Sequence, residues 1–136
     1  MPLQLSEGNC QYTPLSIGSN TLNPGQSGVP GPGQQGNTAS SFGVFYGIQV
    51  IGLGTNTTTG TATGGAPVTV NAYDIIPPTG LGSNTAATTN ALLNGTQSVA
   101  GVLQAGVPGV GVRYKGALVV VTSGPTTLGA CNCLWD

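Results

Sequence analysis

Histidine is absent from this chain, and only five side chains carry full charge: Glu7, Asp74, Arg113, Lys115 and Asp136. Without imidazole, Ser-His-Asp and Cys-His nucleophiles and His-ligated metal sites lose their usual base and ligand. The three carboxylates fall near the start, in a mid-chain apolar run and at the last position, so no acid–base pair is placed for glycoside hydrolysis. A net charge of −1 leaves too few cations for the row of phosphate contacts that drives nucleic-acid affinity. These absences predict no enzyme activity, no cofactor, no metal site and no nucleic acid partner.

Long hydrophobic runs are missing as well. The longest aliphatic stretch is Ala117–Val121, far short of the ~20 residues a membrane-crossing helix needs, so no membrane partner is expected. Met1-Pro2-Leu3-Gln4-Leu5-Ser6-Glu7 has neither the basic nor the apolar region of a secretory leader, which predicts synthesis in the cytoplasm. Cysteine is sparse and odd in number, with Cys10, Cys131 and Cys133, which argues against a disulfide framework. Cys131-Asn132-Cys133 is tighter than a CxxC pair, and three thiolates do not close a four-coordinate zinc site. Buried thiols acting as small hydrophobes are the expected state; a Cys10 bridge to the C-terminal pair and a three-cysteine metal site are the alternatives.

What the chain does contain is uncharged polarity: Gly, Ser, Thr, Asn and Gln make up half of its 136 residues. Leu, Ile, Val and Phe supply about a quarter, enough for a core. The distribution predicts two regions with a boundary near residue 41. Residues 1–41 hold five of the ten prolines and read as an extended arm carrying Leu3, Leu5, Tyr12, Leu15 and Ile17. Gly25–Gly36 reads as its linker: a collagen-like run breaks at Gln34, and a formal GxGxxG at Gly31–Gly36 lacks the flanking strand and helix. Since five prolines hinder regular pairing, the arm's five apolar side chains are expected to bind a partner.

From residue 42 to 136 the texture changes to β-branched runs separated by Gly and Thr, which predicts a mainly β body, a small β-barrel or β-sandwich. Phe42–Leu53 is the first strand, apolar on both faces, and places Phe42, Phe45, Tyr46 and Ile48 at an oligomer contact. Thr55–Gly65 reads as an exposed loop, Pro67–Ile76 as a strand stopped by Pro77-Pro78, and Asn84–Asn94 as a short helix. Ser98–Leu103, Val110–Lys115 and Ala117–Thr122 read as three strands, or two if Gly116 is a bulge. Alternation puts Arg113 and Lys115 opposite Val110, Val112 and Tyr114, in solvent. Asp74, at a strand end, is expected to be exposed, with a buried functional carboxylate as the alternative. A surface so poor in charge gives a monomer little protection against association.

Val99-Ala100-Gly101-Val102-Leu103, then Val112-Arg113-Tyr114-Lys115-Gly116-Ala117-Leu118-Val119-Val120-Val121, then Pro125-Thr126-Thr127-Leu128-Gly129 resemble the capsid decoration, or cement, proteins of tailed bacteriophages. The shared rhythm is a "GV" strand, a V-x-V strand, a glycine and a further valine strand before a closing turn. Ala130-Cys131 departs from the acidic residue often found there. The resemblance implies a small β protein, often trimeric, on the outside of a virion, with the major capsid protein as partner and an N-terminal arm laid along the shell. A tail or fibre component, or another extracellular assembly subunit, is the alternative.

Overall fold

The computed structural model describes residues 11–23, 43–76 and 88–136. Among them it is mainly strand, with no helix. In chain order the strands are β1 (Gln11–Pro14), β2 (Gly18–Asn23), β3 (Gly43–Val50), β4 (Gly54–Thr58), β5 (Thr61–Ala66), β6 (Val68–Ile76), β7 (Thr88–Gln97), β8 (Gly101–Gln104), β9 (Val112–Tyr114), β10 (Ala117–Ser123) and β11 (Cys131–Trp135).

Two open antiparallel sheets and a separate two-stranded hairpin, β4-β5, result. The first runs β1-β11-β3-β8 with β9 also paired to β3, and the second runs β2-β10-β6-β7. β8 and β9 are two pieces of one interrupted edge strand, since they pair with Val50 to Gly47 and then with Phe45 to Gly43 in unbroken direction. Residues 105–111 loop out between the pieces, around a Val107-Pro108-Gly109-Val110 turn in which Gly109 takes φ +79° and Val110 N–H donates to Val107 O. With β8/β9 counted as one strand and the β4–β5 hairpin set aside, the order becomes first-eighth-third-sixth in one sheet and second-seventh-fourth-fifth in the other. This winding, in which most connections cross between sheets, is that of a jelly roll. A closed barrel is not formed by these sheets.

The core lies between them. Val68, Val70 and Ala72 of β6 and Leu118 and Val120 of β10 alternate with half-exposed neighbours, the period of two that a one-sided sheet dictates. Phe45, Ile48, Val50, Cys131 and Cys133 face them from the first sheet and join the same cluster. Full burial of each large apolar side chain contributes roughly 1.5–3 kcal/mol.

Several expectations are corrected here. The body does not begin near residue 42: β1 and β2 are integral strands, and Leu15 is 7% exposed in the shared core. Pro14 is accommodated because β1 is an edge strand, where a missing N–H costs no ladder bond. Residues 54–66 are not a loop but a hairpin, closed by Thr59 and Gly60 at φ +48° and +81°. Two positive φ values give the type I′ turn that suits the right-handed twist of paired strands. The helix expected at 84–94 is replaced, from Thr88 onward, by β7, because its threonines fit a pleated surface and β6 offers a full-length partner. Gly116 is no bulge within one strand: β9 and β10 lie in different sheets, and Lys115-Gly116 carries the chain between them. Ser98–Ala100 lie outside β8 and Val110 on the turn. Pro77-Pro78, the Gly25–Gly36 linker, Leu3, Leu5, Phe42 and Cys10 lie outside the described residues.

Candidate interaction surface

The residues assigned above to partner and oligomer contacts separate sharply. Phe45 and Ile48 are both 0% exposed, committed to the protein's own core. The reason is a bulge: the pairing of β11 with β3 slips between Leu134 and Trp135, which leaves Tyr46 as an extra residue on β3. Gly47 supports it at φ +145°, where a Cβ would stand 2.2 Å from the Leu103 carbonyl oxygen. The extra residue resets the alternation, so Phe45 before it and Ile48 and Val50 after it all face inward. An apolar pattern that reads as two-faced in a regular strand is one-faced in a bulged one.

Tyr46 is half-exposed on the opposite, outer face. Tyr12, 61% exposed, pairs there with Leu134, and Leu134 pairs with Gly47 beside Tyr46. Val102 of β8 and Ile51, just past β3, are also exposed. Charge is confined to one end of this face, where Val44 pairs with Arg113 on one side and exchanges backbone hydrogen bonds with Asp136 on the other. This aromatic and aliphatic stretch on the outside of the sheet is the candidate interaction surface of the described residues. Tyr12 and Tyr46 were legible in the sequence; Ile51, Val102 and Leu134 join them only through the pairing of β11 and β8 with β3.

Ile17, 42% exposed, sits elsewhere. With Leu15, Ser16, Thr126, Thr127 and Leu128 it lines a shallow depression of about 330 Å³. The depression adjoins the root of the β4–β5 hairpin, which is pinned by Thr126 N–H to Asn56 Oδ1 (3.0 Å), Thr57 N–H to Thr126 Oγ1 (3.1 Å) and a Thr55–Thr127 bridge. It holds hydroxyls and methyl groups but no charged side chain.

Asp74, expected in solvent, is 4% exposed. It occupies the core-facing position that continues Val68, Val70 and Ala72 along β6, and its carboxylate accepts hydrogen bonds from the backbone N–H of Lys115 (2.9 Å) and Gly116 (2.7 Å). Both oxygens are engaged with the turn joining the sheets, which makes the group structural. Arg113 and Lys115 are exposed, as the alternation requires, while Tyr114 between them is buried and donates its hydroxyl hydrogen to Asp136 O at 2.8 Å. Among the described residues no three His, Cys, Asp or Glu side chains gather where they could hold a metal, and no helix is long and apolar enough to cross a membrane.

Cys131 and Cys133 both point into the core, and burial pushes the Cys131 thiol above its ordinary pKa. Alkylation of both by iodoacetamide is therefore expected to be slow in the folded protein and rapid in urea, measured by intact mass. The sign of the linkage follows. Unfolded Cys131 ionises more readily than folded, so stability present below the usual thiol range is lost as pH rises through it.

Comparison with known protein families, curated proteins and solved structures finds no match to this chain.

Proposed function

We propose that this protein is a non-enzymatic virion structural protein that decorates a tailed-phage capsid and stabilises it by clamping neighbouring shell subunits. The observation that carries the reading is the jelly-roll strand order, an architecture recurrent in viral capsid and lectin domains, combined with a surface almost without charge. Fold analogy alone does not fix function; the outer face of the first sheet gives the analogy a physical basis. Tyr12, Tyr46, Leu134, Val102 and Ile51 form a contact surface there, and copies meeting through it build the trimer. Leu3 and Leu5, upstream of the edge strand β1, bind the major capsid protein. The sandwich of two sheets caps the shell and catalyses nothing, since Asp74, the one buried carboxylate among the described residues, is engaged by backbone amides.

Because Gln11–Asn23 belongs to the sheets, the truncation that tests the arm is confined to residues 1–9. The shortened protein is expected to keep its fold by circular dichroism, to cosediment poorly with undecorated capsids and to lose most of its protection of them against heat. Unchanged binding and protection would rule the arm out as the clamp, and failure of the full-length chain to bind any capsid would overturn the decoration role.

A further inference from the structure

The two sheets have four edges, and three of them carry features that block the addition of another strand. β1 is four residues long and ends in Pro14. The β8/β9 edge is broken by residues 105–111, which include Pro108, and bears the exposed Arg113. β2 is only six residues long, and its Asn20 side chain turns back onto the carbonyls of Ser16, Gly18 and Val120. β7 has no comparable guard. It is ten residues long, Thr-Thr-Asn-Ala-Leu-Leu-Asn-Gly-Thr-Gln, without charge or proline, and among the described residues only β6 pairs with it. Its pairing with β6 slips once, between Ala72 and Tyr73, which leaves Leu92 as an extra residue on β7. An edge of this length presents a row of main-chain donors and acceptors to any extended segment.

We infer that β7 pairs with β7 of a second copy of this chain, antiparallel about a two-fold axis, so that two four-stranded sheets fuse into one. Charge selects this occupant. β7 and the outward residues of β6 beside it, Thr69, Asn71, Tyr73 and Ile75, are neutral, so a charged peptide finds no counter-ion, whereas a second copy meets no like charge at any register. The sequence is self-complementary as well. A register centred between Leu92 and Leu93 places the extra residue Leu92 of each copy at the middle and sets Thr89 opposite Thr96 on either side of it, a cross-strand pair that stabilises a ladder. The adjoining polar side chains are already satisfied, with the Thr69 and Thr96 hydroxyls 3.0 Å apart and Asn94 Nδ2 donating to Asn71 Oδ1 at 2.6 Å. This contact lies on the second sheet and stands whether or not the chain decorates a shell.

The test combines sedimentation velocity over a concentration series with hydrogen exchange at low and high concentration. The full chain is expected to self-associate, with exchange protection of residues 88–97 rising with concentration. Thr89→Lys with Thr96→Lys, at two exposed positions of β7 that face each other in this register, places like charges across the new pairing and weakens association by roughly tenfold or more. Ser123→Lys on the interior strand β10 leaves association unchanged. A chain monomeric throughout, protection of 88–97 equally strong at every concentration, concentration-dependent protection confined to β1 and β3, or a double-lysine variant that associates like the parent with an unchanged circular dichroism spectrum would each overturn the inference.

Discussion

Phe45→Ala is expected to destabilise the protein by about 3–5 kcal/mol, the range for truncating a fully buried phenylalanine. Phe45 is 0% exposed and lies in register with Trp135 and Val112 in the middle of the first sheet. Its neighbours are anchored: Trp135 Nε1–H donates to Thr13 Oγ1 at 2.9 Å, and Tyr114 is tied to Asp136 O. The walls of the cavity are thus held by hydrogen bonds and cannot close on it, which places the cost high in that range. Tyr12→Ser and Ile51→Ser, on the outer face, are expected to stay within roughly 0.5 kcal/mol of the parent. Urea denaturation followed by tryptophan fluorescence measures both. A small effect at Phe45 would mean that the bulge at Tyr46 does not turn that side chain inward, and would return it to the list of contact residues.

Asp74→Ala is expected to cost about 2–4 kcal/mol, or a fall in melting temperature of roughly 10 °C. The substitution strands the N–H groups of Lys115 and Gly116, which have no other acceptor as well placed, at the turn where the chain leaves the first sheet for the second. The turn has no room to rearrange, since a Cβ on Gly116 would stand 2.0 Å from the Ile75 carbonyl oxygen. Asp74→Asn keeps the volume but turns one acceptor into a donor aimed at an N–H, so it recovers only part of the loss. Gly116→Ala disturbs the same turn, and the double variant is expected to lose less than the two single losses combined, because the bonds broken by the first change are no longer there for the second. Differential scanning calorimetry of the four variants decides it. A melting temperature of Asp74→Ala within a degree or two of the parent would show that the carboxylate does not hold the sheets together.

Local chemistry is what the sequence by itself determined. Its β-branched runs set β6 and β10, because alternating valines can bury one face only as strands. The positions of Arg113 and Lys115 followed from the same period of two, and the burial of Cys131 and Cys133 from their small apolar character. Tertiary structure decided wherever a distant partner overrode a local cue. Proline made residues 11–23 read as an arm, yet an edge position beside β11 accepts Pro14 and draws Leu15 into the core. The run Asn84–Asn94 carries a weak helical pattern, but a full-length partner in β6 satisfies its backbone from Thr88 onward as strand. Asp74 sits at a strand end like any exposed carboxylate, and only the crossing of Lys115-Gly116 above it supplies the donors that make burial tolerable. Phe45 and Ile48 are three residues apart, so in a regular strand they point to opposite faces. The extra residue at Tyr46 puts both on one face, and that bulge exists because β11 pairs with β3 from the far end of the chain, a contact that no local pattern encodes.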